Sequence, residues 1–600
     1  MQVELPFDDS RRLTGSNLFF AATGAVLEVV GIVADEALLA GWRARVERAR
    51  ARLGWPARAL VVRAHAHGAS LALAAPPDQL FTATEVNEWA LCASLYARDP
   101  AHWGGLERAM LAAALADAAD PAAVIAPVLE DAAALERLER LARREANPPL
   151  AALVAEAQAR GLPHLLDEEL LTLGAGAHGR SYALAGLPAA GDVAWAALGD
   201  IPTALVTGSN GKTTTVRLVA ACARAHGWHA GFNCTDGVFV DGEALARGDY
   251  SGPAGTRLVL REPRVEAAVL ETARGGILRR GIAVSQARVA VVTNVSSDHF
   301  GEYGIHDLDG LADAKLAVAA AVAGDGLLVL NADDALLRAK AAGLADRYGR
   351  CPPLGWFALD ADHALLAGHR RRGGATAGVR AGRLVLAFAG AEHDLGDVAR
   401  MPLSVDGAAA YNVANLAAAA LAAVALGVPP PTIAGVYAHF GARPADNVGR
   451  LMRFEVGGVR VLVDYAHNAE GLRGVLGVAA HLRGAGRLGM LLGHAGNRQD
   501  TDIEDVARVA AGFRPDLVVV KENEEFLRGR APGEIPRIIR AALLGAGLPE
   551  SALPVRATEL EAARCALEWA RPGDVLALLV HSPAARTAVL ELLERDAAGG

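Results

Sequence analysis

The segment that most limits how this chain can fold is Thr203-Ala-Leu-Val-Thr207 followed by Gly208-Ser-Asn-Gly-Lys-Thr-Thr214. A short apolar run reads as a buried strand, the glycine run as a loop, and Lys212 to His226 as a helix. Strand, glycine loop and helix in that order form a phosphate loop: backbone N–H groups surround polyphosphate oxygens, the lysine neutralises terminal phosphates, and the first threonine hydroxyl can hold Mg²⁺. Val206 stands where the strict motif has its first glycine. A simple glycine turn before an exposed helix would not require Lys-Thr-Thr at this point. The candidate phosphate-binding residues are therefore Gly208, Asn210, Gly211, Lys212, Thr213 and Thr214.

A phosphate loop needs a parallel sheet around it, and the sequence supplies buried runs at crossover spacing. Ala267-Ala-Val-Leu-Glu271, Val289-Ala-Val-Val-Thr293 and Gly326-Leu-Leu-Val-Leu-Asn331 follow in turn. After Pro429-Pro-Pro a further α/β unit is expected, with strands at Val459–Asp464, Gly489-Met-Leu-Leu, Leu517-Val-Val-Val and Val575-Leu-Ala-Leu-Leu-Val. Upstream, Gly24-Ala-Val-Leu-Glu-Val-Val and Leu60-Val-Val-Arg read as strands and Asp131 to Ala146 as a helix. Pro148-Pro149 and Gly174 to Gly191 read as linkers. The expected fold class is α/β, in three domains: a small N-terminal α+β domain over 1–191, a central doubly wound phosphate-loop domain over 192–445, and a C-terminal Rossmann-like domain over 446–600. At about 150 residues per domain, 600 residues suggest roughly four domains, or three with one enlarged. Apolar residues at 52% against 21% charged give each a core, while 5% aromatics and 65 glycines favour tight helix-on-sheet layers.

Charge excludes some functions. With 59 Lys+Arg and 68 Asp+Glu the chain is net negative, which argues against bulk binding to nucleic acid or an anionic membrane. Five scattered cysteines without a Cys-x-x-Cys pair argue against zinc ribbons and disulfide frameworks. The acidic N-terminus is unlike a signal peptide, and Leu416 to Val428 is too short to span a bilayer, so a cytoplasmic location is expected.

In an open α/β sheet, ligands gather at the carboxyl ends of strands, so Thr213, Glu271 and His299 are expected to converge as a Mg²⁺ and phosphate site. Asn331-Ala-Asp333-Asp334 reads as a strand-ending turn without chemistry.

Together, Gly-Ser-Asn-Gly-Lys-Thr-Thr, Thr293-Asn-Val-Ser-Ser-Asp-His299, Gly449-Arg450 and Asp464-Tyr-Ala-His-Asn468 resemble the Mur ligase superfamily of ATP-dependent amide-bond ligases. The resemblance runs from about Pro202 onward. Thr235-Asp-Gly-Val, Glu271-Thr-Ala-Arg-Gly-Gly-Ile-Leu-Arg-Arg-Gly281, Gly496-Asn-Arg-Gln-Asp500 and Arg528-Gly-Arg-Ala-Pro-Gly-Glu534 look like the Mur-type half of cyanophycin synthetases. Those enzymes carry an ATP-grasp module ahead of the Mur module. Here Arg160-Gly-Leu-Pro through Leu173-Gly-Ala-Gly resembles the lead-in to that module and then runs into Mur sequence, so a small N-terminal domain without the ATP-grasp module is expected.

The resemblance implies ATP and Mg²⁺, with Lys212 on the β- and γ-phosphates and Thr213 and Glu271 on the metal. His299 would serve a second metal site, and Lys315 would bridge it as a carbamate. Asn294 and Asn412 would face adenine, although Tyr411 replaces the usual histidine before Asn412. Arg450, Asp464 and His467 would reach phosphates and ribose as the C-terminal domain closes. Arg274, Arg279 and Arg280 would form a patch for an acidic acceptor, and Arg498 with Asp500 would recognise the incoming amino acid. The implied partners are an amino acid, such as arginine or another basic one, and an acidic aspartyl peptide or polymer. A glutamyl or muramyl peptide acceptor, a companion-subunit role beside a separate ATP-grasp protein, and homo-oligomerisation remain alternatives.

Overall fold

The structure is a computed structural model, and it describes residues 5–116, 127–297, 300–522 and 524–598. His299 and its neighbour Asp298 lie outside the described residues.

The N-terminal unit is a four-stranded antiparallel sheet in the order Phe7–Leu13, Gly24–Val30, Gly68–Ala74, Leu60–His65. Strand side chains alternate between faces, and here both faces are buried. Ala25, Leu27, Val29, Leu71 and Leu73 pack under the helices Glu36–Leu53, Leu80–Arg98 and Asp131–Glu145. Leu13, Val26, Ala72 and Ala74 pack instead against Leu278, Ile305, Leu311 and Ala314 of the central domain. Glu28 lies on that second face, where it accepts from Arg11 Nη2 at 2.6 Å and Ser70 Oγ at 2.6 Å. Arg11 Nε also donates to the Leu278 carbonyl at 2.8 Å, which joins the two domains.

The expected linkers are structured. Pro148 and Pro149 open the helix Pro148–Ala159, where a missing N–H costs nothing. Gly174 to Gly191 includes the strand Arg180–Ala183 of a three-stranded sheet with His164–Leu166 and Leu170–Leu173. Asp167 of this module pairs with Arg261 of the central domain at 2.5 Å.

The central sheet has eleven strands. Seven run parallel, in the order Ala230–Cys234, Ala267–Glu271, Thr203–Thr207, Ala287–Val292, Val322–Asn331, Leu354–Asp360, Ala375–Arg380, with antiparallel strands at both edges. Thr203–Thr207 thus lies between Ala267–Glu271 and Ala287–Val292, and the carboxyl ends of all three meet. The helices Lys212–His226 and Ala410–Leu426 cover one face. The alanine-rich Leu416–Val428 stretch is core packing, and among the described residues no helix is long and apolar enough to cross a membrane. The prolines at 429–431 fall before the expected boundary at 446 and belong to the central domain. They start a helix, Pro430–Tyr437, whose Ile433 and Tyr437 complete the central core.

The C-terminal sheet has the order Met452–Val456, Val459–Asp464, Val575–Leu579, Leu488–Leu492, Leu517–Lys521, Val555–Arg556, parallel except for its first strand. All four expected strands are present.

Candidate active site

The phosphate loop is shaped by close backbone approach. Gly208 has φ +146° and a Cβ there would lie 1.8 Å from Thr293 Oγ1; Gly211 has φ +84° and its Cβ would meet Asn415 Oδ1 at 2.2 Å. Only glycine fits both positions. Val206 is an interior strand residue, so the loop does not need the first glycine of the strict motif. Lys212 Nζ donates to the Gly208 and Ser209 carbonyls at 3.0 and 3.1 Å, folded over the loop that its charge would serve.

Thr213 Oγ1 donates to Glu271 Oε2 at 2.8 Å. Glu271 is wholly buried, and its Oε1 has no hydrogen-bond partner among the described residues. Burial pushes its pKa up, against the pull of Lys212, the Thr213 hydroxyl and Arg450. A buried acceptor oxygen beside a threonine hydroxyl suits a hard divalent cation. Among the described residues no cluster of three or more His, Cys, Asp or Glu could hold a metal alone, so such a cation would complete its shell with phosphate oxygens and water.

Two cavities share the wall made by Lys212, Thr235, Glu271, Tyr465 and His467. The first, about 270 Å³, continues past Asn331, Asp333, Phe357, Leu359 and Tyr411. The second, about 410 Å³, is bounded by Asp249, Arg274, Lys315, His494, Arg498 and Arg528. Lys315 is buried in that wall, not displayed on a helix surface.

The C-terminal domain closes the site from above. Arg450 donates to Thr235 Oγ1 at 3.1 Å and lies 4.5 Å over the Tyr465 ring. Asp464 accepts from Leu451 N at 2.6 Å and Ala466 N at 2.7 Å, with its pKa raised by burial. Asn468 Nδ2 donates to Asn210 Oδ1 at 3.0 Å, and Asn447 Nδ2 to Thr214 Oγ1 at 3.2 Å. The turn 464–468 therefore rests on the phosphate loop.

The structure shows what holds several of the expected site residues. Asn294 spends its amide on the Asn210 backbone, accepting from Asn210 N at 2.9 Å and donating to its carbonyl at 3.2 Å, so it braces the loop. Asn412 is likewise held, by the Leu403 carbonyl and Asn415, though both asparagines line the first cavity. The three arginines are not one patch. Arg274 is buried in the second cavity and pairs with Glu302 at 2.6 Å, whereas Arg279 and Arg280 lie at the far end of the helix Arg274–Arg280, where the Arg280 carbonyl accepts from Thr14 N of the N-terminal domain at 2.8 Å. Asp500 opens the helix Asp500–Gly512 and pairs with Arg530 at 2.7 Å, outside the cavity that Arg498 lines. In the other direction, Asn331 and Asp333, given no chemistry above, line the first cavity. Asp249, His494 and His581 were also missed. Asn331, His494 and His581 sit at or just beyond the carboxyl ends of parallel strands, the rule that picked out Glu271.

The Mur ligase middle domain matches residues 206–351, and the Mur ligase glutamate ligase domain matches residues 449–579. The chain is 34% identical to the cyanophycin synthetase of Trichormus variabilis over 388 residues, covering 64% of this chain and 42% of that protein. It is 36% identical to that of Synechocystis sp. over 344 residues, covering 57% of this chain and 38% of the other. The chain thus spans less than half the length of these relatives. It is also 33% identical over 380 residues to the UDP-N-acetylmuramoyl-L-alanyl-D-glutamate–2,6-diaminopimelate ligase of Alkalilimnicola ehrlichii, covering 62% of this chain and 69% of that enzyme. With the phosphate loop, the buried glutamate and the closing C-terminal domain all in one site, this chain belongs to the Mur ligase family.

Proposed function

We propose that the protein is an ATP-dependent amide-bond ligase that joins a basic amino acid to an aspartyl side chain of an acidic peptide or polymer. The observation that carries this reading is the shared wall between the cavities: Lys212 and Glu271 face both, so a nucleotide in the first would present its terminal phosphate to reactants in the second. In the first step an acceptor carboxylate oxygen attacks the γ-phosphorus and ADP leaves. The amine then attacks the acyl carbon, Pi departs, and the ammonium proton passes to solvent.

Lys212, Arg450 and the loop N–H groups would stabilise charge on the transferring phosphoryl group, which is most of what such a reaction asks of a protein. Thr213 and Glu271 would hold Mg²⁺, which when bound neutralises β- and γ-phosphate oxygens. Arg274 would orient the acceptor carboxylate, in place of the three-arginine patch, and Arg498 the amino acid. The aspartyl acceptor and basic amine rest on the likeness to cyanophycin synthetases.

The test is product analysis with purified protein, ATP, Mg²⁺, single amino acids, and aspartyl, glutamyl or muramyl peptides. The expected result is one ADP and one Pi per amide bond, with a basic amino acid added to the aspartyl acceptor and no free aspartate built into polymer. Preference for a glutamyl or muramyl acceptor would overturn the substrate class, and ATP binding without turnover on any acceptor would overturn the ligase reading.

A further inference from the structure

A buried ionic cluster in the C-terminal domain lies directly behind the site. Lys521 ends the strand Leu517–Lys521, is fully buried, and pairs with Glu559 at the start of the helix Glu559–Trp569. The Glu559 carboxylate also accepts from His581 N at 2.9 Å and Ser582 N at 2.9 Å. Lys521 Nζ lies 3.3 Å from His581 Nδ1, and His581 Nε2 lies 3.1 Å from the Ala466 carbonyl. Gly493 makes room for this lysine, since a Cβ there would sit 2.7 Å from Lys521 Cγ.

Donor and acceptor chemistry leaves one arrangement. A carbonyl only accepts, so Nε2 must carry the hydrogen, and Nδ1 of a neutral ring then accepts from the ammonium. Burial and the neighbouring Lys521 charge push the His581 pKa far down, consistent with a neutral ring that does not serve as the proton acceptor. Ala466 is thereby tied at both ends: its N–H to Asp464 and its carbonyl to His581. The same turn carries His467, which faces both cavities, and Asn468, which bonds the phosphate loop.

We propose that His581 is a positioning residue for nucleotide binding: the buried Lys521–Glu559 pair fixes its Nε2–H tautomer, and that N–H holds the turn 464–468 against the phosphate loop. The inference rests on the nucleotide site described above. A histidine that merely filled space would need neither the tautomer nor the lysine.

Two measurements on the full chain test it. In protein labelled with ¹⁵N-histidine, with the His581 signal identified by its loss in His581→Gln, the ring should read as neutral Nε2–H, and Lys521→Met should mix the tautomers. An Nδ1–H or imidazolium ring in the wild type, or a single unchanged tautomer in a folded Lys521→Met variant, would overturn the proposal. The second measurement is the ATP dissociation constant. Gln carries a donor where Nε2 lies and should stay within about twofold of wild type, while Asn and Ala, which do not reach Ala466, should weaken ATP binding about tenfold, the effect of one lost hydrogen bond. Equal affinities for Gln, Asn and Ala in folded protein, or a fall in kcat with unchanged ATP affinity, would overturn it. Failure of wild type to bind ATP would instead count against the proposed function, and the tautomer would still decide this one.

Discussion

At the residue scale, Glu271 is a costly group to bury, wholly enclosed and with its Oε1 without a hydrogen-bond partner among the described residues. A carboxyl whose pKa rises on folding holds its proton more tightly in the native state, so stability falls as pH climbs from the ordinary value of 4.5 through the raised one. Removing the charge should therefore not harm the apoprotein. Glu271→Gln is expected to melt at or above the wild-type temperature without ligand at neutral pH, yet to lose the stabilisation that wild type gains from Mg²⁺ and ATP, about 2.7 kcal/mol at a hundredfold excess over the dissociation constant. Thermal melts with and without Mg²⁺ and ATP check this, and equal ligand shifts in both proteins would remove Glu271 from the metal site. Lys212 is different, because among the described residues its ammonium donates to the loop carbonyls of Gly208 and Ser209. Lys212→Ala should keep its melting temperature within a few degrees and lose about a hundredfold or more of turnover. Lys315→Ala tests the carbamate: if a modified lysine bridges a metal, short carboxylates should partly restore activity to the variant, and normal unassisted activity would dismiss the role.

At the scale of elements, the N-terminal sheet meets the central domain across its second apolar face, where Arg11 pairs with the buried Glu28 of the same sheet and donates to the Leu278 carbonyl of the central domain. Burial disfavours an ionised Glu28, but the His65 ring, whose Nε2 lies 3.7 Å away, the Arg11 charge and the Ser70 hydroxyl outweigh that and bring its pKa to about 2. The stabilisation from a depressed carboxyl is present above the unfolded value of 4.5 and is lost as pH falls through about 2. Acid should release the N-terminal domain in that window, as tryptophan fluorescence and limited proteolysis would report. Glu28→Ala, which leaves the buried Arg11 with Asp9 and the Leu278 carbonyl as its remaining partners, should cost about 1.5–3 kcal/mol in urea unfolding. An effect within experimental error would mean that apolar packing and the backbone hydrogen bonds between Thr14 and Arg280 and between Ile282 and Ser16 hold the interface without the charge pair.

At the scale of the whole molecule, the site exists only where two domains meet. Asp236 of the central domain pairs with Arg217 on the phosphate-loop helix at 2.7 Å and with Arg586 of the C-terminal domain. Arg217 also donates to the Val448 carbonyl at 2.7 Å, where the chain crosses between domains. This three-residue bridge ties the phosphate-loop helix to the domain that carries Arg450 and the turn 464–468. Asp236→Asn and Arg586→Ala should each raise the ATP KM several-fold and broaden the small-angle scattering profile. A double-mutant cycle should show coupling of about 0.5–3 kcal/mol. Additive effects would mean that the pair is incidental to domain orientation.

The phosphate loop, Glu271, the parallel strands of both large domains and the N-terminal α+β unit were legible in the sequence because each is written locally, as a glycine pattern, a buried run or an apolar period. Which strand ends meet was decided by sheet order: Asn331 and Asp333 join the first cavity because Val322–Asn331 lies two strands from the loop, not because of their own chemistry. Arg274, Arg279 and Arg280 look like one charge cluster in the chain, yet a short helix points its start into the cavity and its end toward another domain. Asn294, Asn412 and Asp464 carry functional-looking side chains whose hydrogen bonds are taken up by backbone and neighbouring side chains, a partnership visible only once the loops are packed. The Lys521–Glu559–His581 cluster is assembled from three segments of the C-terminal domain spread over sixty residues. The sequence by itself determined the local shapes and the chemistry available at each strand end; only the tertiary structure decided which of those groups face one another, because burial and hydrogen-bond partnership are set by segments far apart in the chain.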